Sequence, residues 1–204
     1  VVLGQSSGGN VFASALQDFV IMVRGQSEML FGTPEMIAER GEGKSTQEMG
    51  GADVHMEKTG LCHYVADDES DALTYAKELL AHLPSNNRAE APKQPWVKLP
   101  GAPGSHPRPE DLELDAIIPD SDAATYDMME IITRFVDDGD FLEVQAGRAA
   151  NMLTGFARIE GRSVAVVANQ PQVLAGAIDK AAADKAARFI RTCDAFNIPI
   201  VTLV

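Results

Sequence analysis

Seven of the eleven prolines fall between Pro84 and Pro109, with Gly101 and Gly104 among them. Each proline fixes φ and removes a backbone donor, so this stretch can be neither an ordinary helix nor a central strand. It is expected to be an extended connection, residues 84–112, between two structured segments, 1–83 and 113–204. Trp96, Val97 and Leu99 argue that the connection packs against something.

Within both segments, short apolar runs alternate with stretches of helical spacing. Val1-Val2-Leu3 reads as the end of a buried strand running into a glycine turn, followed by a helix over Val11 to Asp18. Phe19 to Val23, Met29 to Phe31 and His63 to Val65 read as strands, and Pro34 suits the first turn of a helix through Ala38. Gly50-Gly51 breaks the chain. Asp67, Asp68, Glu69 and Asp71 crowd a helix start, where the macrodipole favours anions, and Leu73, Ala76, Leu80 and Leu83 recur behind them. In the second segment Met128, Ile131, Ile132 and Phe135 give an amphipathic helix. Phe141 to Val144 is a brief strand, Leu153 to Ala168 a hairpin turning at Glu160-Gly161-Arg162. A long helix carries Ala186, Phe189, Ile190 and Cys193, and Ile200 to Val204 forms a last buried strand. The alternation predicts an α/β fold with buried parallel-type strands. Both end strands lack neighbours here, so the sequence is read as an internal piece of a longer protein.

Composition excludes several functions. A formal charge of −13 is the wrong sign for a non-specific nucleic-acid binder. Two cysteines, Cys62 and Cys193, make no disulfide scaffold and favour a reducing compartment. No apolar run approaches the roughly 20 residues of a membrane span.

The most informative stretch for chemistry is Val1 to Asn10, where a buried strand runs into a glycine turn that opens a helix. Glycine lets main-chain amides approach a ligand, and unpaired N–H groups at a helix start stabilise negative charge. Gly8 and Gly9 are therefore candidates to hold a phosphate or oxyanion, with Ser7 beside them as a candidate substrate contact. A plain tight turn is the competing reading. No Lys-Ser/Thr follows Gly9, so this is not a Walker loop. His55, His63, His82 and His106 lack metal-ligand spacing, and no metal site is expected. The Asp137 to Asp140 cluster resembles a calcium loop only superficially. Ser6 and Ser7 have no evident local base, so chemistry must rest largely on backbone amides.

Gly4 to Asp18 is similar to the Gly-Pro-Cys-Ala-Gly-Gly-Ala stretch of biotin-dependent acyl-CoA carboxylase β subunits, the carboxyltransferases of propionyl-CoA carboxylase and transcarboxylase. Gly50-Gly51-Ala52-Asp53-Val54-His55 with Thr59-Gly60 resembles their Gly-Gly-Ala-x-x-His-x-x-x-Ser/Thr-Gly segment. Phe141-Leu142-Glu143, Gly155-Phe156-Ala157-Arg158, Val166 to Pro171, Asp184 to Arg191 and Cys193 to Pro199 extend the match over nearly all of the chain. Departures include Gln5-Ser6-Ser7 in place of Pro-Cys-Ala, and Ile178-Asp179-Lys180-Ala181 in place of Leu-Asp-Ile-Asn.

The resemblance implies parts of two tandem crotonase-like domains: the later part of the first over 1–83, and the opening of the second over 113–204. It implies transfer of a carboxyl group from carboxybiotin to the α-carbon of an acyl-CoA, with biotin N1 taking the proton and no side-chain base. Gly8 and Gly9 would supply one oxyanion hole; the second would lie beyond Val204. Asn169 and Gln170, where the second domain's ligand-facing loop begins, either line the biotin or acyl-CoA site or cap local backbone. The implied partners are a biotin carboxylase and biotin-carrier α subunit and further β subunits, in a hexamer. The implied compartment is a bacterial cytoplasm or mitochondrial matrix. Alternatives are a biotin-dependent transcarboxylase or decarboxylase subunit, and a non-catalytic assembly subunit of the same fold.

Overall fold

The computed structural model describes residues 1–32, 36, 39, 44–96, 109–121 and 124–204. The chain forms two compact units. The first comprises Val1–Leu79 with Val144–Arg148, the second Leu80–Glu143 with Ala149–Val204.

In the first unit, strand β1 (Gln5–Ser7) leads into helix α1 (Gly9–Ala15). The strand lies inside the stretch expected to be turn, and Val2 makes only an isolated bridge to Met22. The reason is hydrogen bonding: Gln5–Ser7 finds a parallel partner in β3 (Glu28–Leu30), whereas Val1 stays exposed. β2 (Ile21–Val23) pairs in parallel with β4 (Tyr64–Ala66). Each of these strands has only three residues, too few to hold a sheet alone. Packing supplies the rest, through a core of Val20, Met22, Met29, Ala52, Met56 and Cys62. Side-chain bonds add to it. His63 Nδ1 accepts the Val20 N–H at 3.0 Å, and Ser27 Oγ accepts that of Val23 at 2.8 Å.

Helix α2 (Thr46–Gly50) starts on a reciprocal cap. Ser45 Oγ accepts the Glu48 N–H, and the Glu48 carboxylate accepts the Ser45 N–H at 2.7 Å. That main-chain bond holds the Glu48 carboxyl below its usual range. Helix α3 (Ala52–Val54) continues into a π-helical turn, His55–Thr59. Pro34, Ile37 and Ala38, expected to be helical, lie outside the described residues.

Helix α4 (Glu69–His82) begins where the acidic cluster predicts, with Asp68 Oδ1 accepting the Asp71 N–H at 2.8 Å. Its buried face differs from the expected one. Ala72, Tyr75, Leu79 and His82 are buried, whereas Leu73 and Leu80 are 47% and 67% exposed. Tyr75 wins a place inside by stacking on Tyr64, ring centroids 3.8 Å apart.

The second unit is built on a four-stranded sheet in the order β5 (Phe141–Glu143), β6 (Met152–Ile159), β7 (Arg162–Asn169), β8 (Ile200–Leu203). The first three are mutually antiparallel and β8 joins parallel, so the sheet is mixed rather than purely parallel. The β6–β7 turn, Glu160-Gly161, has φ of 51° and 76°, the left-handed pair that a two-residue hairpin requires. A Cβ on Gly161 would stand 2.3 Å from the Gln94 carbonyl. Asp137 caps this turn, accepting the Glu160 and Gly161 N–H groups at 3.0 and 2.6 Å.

The proline-rich connection is not free at its start. Pro92 accepts the Ser163 N–H and Gln94 donates to Gly161, so this stretch adds to the hairpin tip. Val97 and Leu99 lie outside the described residues. Its far end also differs from expectation, because helix α5 (Pro109–Ile117) starts inside it. Proline is tolerated in a first helical turn, where its missing N–H has no acceptor.

Helix α6 (Met128–Phe135) buries Met128 and Ile132 against Leu153, Ala157, Val164, Val166 and Ala168. Helix α7 (Lys180–Ala195) is capped by Asp179 and buries Ala182, Lys185, Phe189 and Cys193. Lys185, which sequence spacing does not mark as core, is 2% exposed and donates to the Met152 carbonyl at 2.6 Å. Ile190, expected inside, is exposed. β8 alternates in exposure and is not a fully buried strand.

Candidate functional site

The Gly8 bend follows from β1–β3 pairing. Gly8 has φ 61° and ψ −132°, a conformation that glycine adopts without penalty. Its N–H does not point to a ligand; it donates to the Leu30 carbonyl at 3.1 Å. Of the two expected donors, the structure therefore leaves Gly9. Its N–H and that of Asn10 have no acceptor among the described residues, and both residues are exposed. A Cβ on Gly9 would meet nothing within 4 Å, so space opens directly over these amides. Ser7 is half-buried on the same bend, and its side chain makes no hydrogen bond among the described residues. Aromatic side chains flank it: Phe12 and Phe31 meet edge to face at 5.3 Å, and both are more than half exposed.

Among the described residues, side chains beside the bend supply no acid–base pair. His55 is buried, its Nε2–H donating to the Met29 carbonyl at 2.9 Å and Nδ1 lying 3.0 Å from Thr59 Oγ1. Burial pushes the Cys62 thiol up to about 12, so it holds its proton at neutral pH. A separate cavity of about 520 Å³ in this unit is lined by Arg24, Lys44 and Lys58 with Glu48 and Asp53. Arg24 is spoken for there by Asp53 and Asp67, at 3.2 and 3.1 Å.

Asn169 and Gln170 fall in the second unit. Gln170 is buried and fully engaged. Its Oε1 accepts the Met128 N–H at 3.1 Å, its Nε2 donates to Asp127 Oδ1 at 2.6 Å, and its main-chain N–H donates to Asn151. It is a cap for α6. Asn169 differs, because its Oδ1 is buried with no hydrogen-bond partner among the described residues. Its Nδ2 lies 2.5 Å from where a Cβ on Gly176 would stand. The loop closing over it, Leu174 to Gly176, has three successive left-handed residues, with Leu174 and Ile178 exposed. Sequence reasoning had no signal for that loop geometry, since only Gly176 of the three favours positive φ.

A resemblance to a catalytic pair in this unit dissolves on inspection. His82 Nδ1 lies 3.1 Å from Ser163 Oγ, but Ser163 donates its proton to the His82 carbonyl at 2.9 Å. Nδ1 must then be the donor to Ser163, and Nε2 faces Arg158 Nη1 at 3.4 Å. Both groups are buried, and the histidine is pushed down to about 4 by burial first and the Arg158 cation second.

The comparisons with known proteins now decide the family. The carboxyl transferase domain matches residues 1–204. This chain belongs to the carboxyl transferase family. It is 51% identical over 206 residues to the propionyl-CoA carboxylase beta chain of Saccharopolyspora erythraea, covering all of this chain and 38% of that one. It is 50% identical over 205 residues to the biotin-dependent acetyl-/propionyl-coenzyme A carboxylase beta5 subunit of Mycobacterium tuberculosis, covering 37% of it. Among solved structures, the transcarboxylase 12S hexamer core with methylmalonyl-coenzyme A and methylmalonic acid bound superposes with a TM-score of 0.89. Identity there is 42%, over 99% of this chain and 38% of that one. The α/β architecture is thus the crotonase-like fold of carboxyltransferases. The chain spans less than two fifths of the length of these relatives.

Proposed function

We propose that this chain is part of a carboxyltransferase subunit that moves a carboxyl group from carboxybiotin to the α-carbon of an acetyl-, propionyl- or longer acyl-CoA. The observation that carries the reading is the Gly8–Gly9 bend: among the described residues the Gly9 and Asn10 amides have no acceptor and no acid–base pair stands beside them, and the space over Gly9 is open. Such a site suits a reaction in which the protein stabilises charge on oxygen while the proton acceptor arrives with the cofactor. Biotin, carried by a partner, supplies the carboxyl group and, through its ring nitrogen, the base. Free amides aimed at a developing oxyanion, with no Cβ over them, fit that chemistry.

The chain's own part is then specific. Gly8 turns the chain, held by Leu30. Gly9, with Asn10, donates to the thioester oxygen as negative charge accumulates on it, and Ser7 borders the substrate. Donors fixed before the reaction cost no reorganisation during it. In the second unit we assign ligand contact to Asn169 rather than Gln170, because Asn169 keeps an unsatisfied acceptor suited to a ligand N–H whereas Gln170 is consumed in capping.

By the same reading, residues 1–83 are the later part of a first carboxyltransferase domain and 113–204 the opening of a second. The full subunit assembles as a hexamer, works with a biotin carboxylase and biotin-carrier partner, and resides in a bacterial cytoplasm or mitochondrial matrix. Among the described residues no helix is long and apolar enough to cross a membrane. The test supplies the full-length protein with its carboxylated biotin-carrying partner and acyl-CoAs of increasing length. Malonyl- or methylmalonyl-type products are expected. Tight acyl-CoA binding without product at any length overturns the reading and leaves an assembly subunit. Product formed only from a carboxylated CoA donor marks a transcarboxylase.

A further inference from the structure

The bend's direction is set from a distance, through β3. This strand is three residues long, and its alternate carbonyls face opposite ways. The Leu30 carbonyl faces β1 and accepts the Gly8 N–H. The Met29 carbonyl faces the other edge, where among the described residues no strand is paired and Glu28 makes only an isolated bridge to Gly51. His55 Nε2–H fills the place of the missing ladder bond, at 2.9 Å from the Met29 oxygen. Gly50 packs so closely against the same carbonyl that a Cβ would stand 2.4 Å from it.

His55 is itself held by an unusual turn. It opens the π-helical turn His55–Thr59, a wide geometry that single-turn insertions adopt often at functional sites. Thr59 Oγ1 lies against its other ring nitrogen. The segment Val144–Arg148 braces the turn from outside: Gln145 Nε2 donates to the Gly60 carbonyl at 2.8 Å, and Arg148 Nη1 to that of Glu57 at 2.8 Å. Gln145 is buried at φ 60°, a strained placement for a residue with a Cβ.

We propose that His55 is a positioning residue for the bend: by holding the Met29 carbonyl it fixes β3, whose next carbonyl aims Gly8 and so directs the free Gly9 and Asn10 amides. The proposal rests on the oxyanion role assigned to the bend. His55 touches no substrate and carries no proton in the reaction. Its effect is geometric, and misplacement by about 1 Å can cost up to about a hundredfold in rate.

The test uses the full-length chain with its partner and compares His55→Gln, His55→Asn and Gly9→Val. The terminal nitrogen of glutamine reaches where Nε2 lies, whereas asparagine reaches only the Nδ1 position. Turnover is expressed per acyl-CoA-binding site, titrated by calorimetry, so that loss of folded protein does not count as loss of rate. His55→Gln is expected within about threefold of wild type; His55→Asn should lose about tenfold or more in kcat, with KM within about twofold. Equal kcat per site in the two variants overturns the proposal, as does a loss carried by KM. If His55→Asn does not assemble, Thr59→Ala replaces it, with about a threefold drop in kcat expected and an unchanged kcat counting against the proposal. Gly9→Val at wild-type turnover removes the bend from the reaction and this proposal with it. Gly9→Val inactive beside a fully active His55→Asn overturns the positioning role alone.

Discussion

β1 in the first unit and β7 in the second both run into loops that open helices, yet they use their polar groups oppositely. At the end of β1 the main chain turns on Gly8 and leaves the Gly9 and Asn10 amides unengaged. At the end of β7, Gln170 spends its whole side chain on the start of α6, and a left-handed loop folds over Asn169. The strands differ in the same sense. β1 has three residues and depends on bonds from β3 and, through it, His55; β7 has eight and is paired along both edges. The weakly built strand end presents open donors, and the strongly built one is closed by its own side chains. Open donors can serve a ligand only where the fold does not consume them.

The largest expected effect breaks the first half of that contrast. Gly9→Val fills space that is open in the fold and that the proposed oxyanion would occupy. kcat should fall about a hundredfold, on the order of 3 kcal/mol of lost stabilisation. The unfolding midpoint should stay close to wild type, since the Cβ meets no protein atom. Steady-state turnover and thermal unfolding on one preparation decide it. Wild-type kcat, or loss of both kcat and folding, breaks the assignment.

Next comes a pH effect confined to the second unit. His82 folds as the neutral ring, between the Ser163 hydroxyl and the Arg158 guanidinium. Its folded value, about 4, lies below the ordinary 6.5, so between these values the unfolded chain binds the extra proton. Its contribution is complete above about 6.5 and is lost as pH falls toward 4. The size is on the order of 3 kcal/mol, read as the difference between wild type and His82→Gln in denaturant midpoints from pH 7 to 4. Parallel pH curves for the two proteins refute the assignment of the neutral ring.

The same contrast governs what the sequence disclosed. The second unit is legible because its strands are long: near-continuous apolar runs of eight residues on either side of a Glu-Gly turn specify a hairpin. Helix α6 follows from its spacing. The first unit was harder. Three-residue strands carry too little periodicity, so spacing alone makes β1 a turn and Val1–Leu3 a strand. On α4 two apolar faces compete. Leucine spacing favoured Leu73 and Leu80, whereas Tyr75 is inside because Tyr64 offers a ring to stack on, a tertiary fact no spacing encodes. The glycine bend itself was legible, but not the division of labour within it. That Gly8 spends its N–H on Leu30 depends on the β1–β3 register. Lys185 misleads for a similar reason, since the Met152 carbonyl it donates to and the Glu143 carboxylate that interacts with it make a buried ammonium tolerable.

The smallest effect sharpens the second half of the contrast, by setting adjacent residues against each other. Gln170→Ala strips the buried Met128 N–H of its acceptor and frees Asp127. Leaving such a donor unpaired costs about 1–3 kcal/mol, so stability should fall by that amount while kcat and KM per folded molecule hold. Asn169→Ala removes an oxygen that has no partner among the described residues. Stability should then change by less than about 1 kcal/mol, because an unsatisfied acceptor leaves along with the packing of a half-buried side chain. KM for acyl-CoA or for the biotin-bearing partner should rise instead, by about threefold to tenfold for one neutral hydrogen bond. Denaturant titration and steady-state kinetics on both variants separate the two. If Asn169→Ala is the destabilised one and Gln170→Ala the one with raised KM, the roles are reversed, and the end of β7 offers its ligand the residue that the fold was thought to have used.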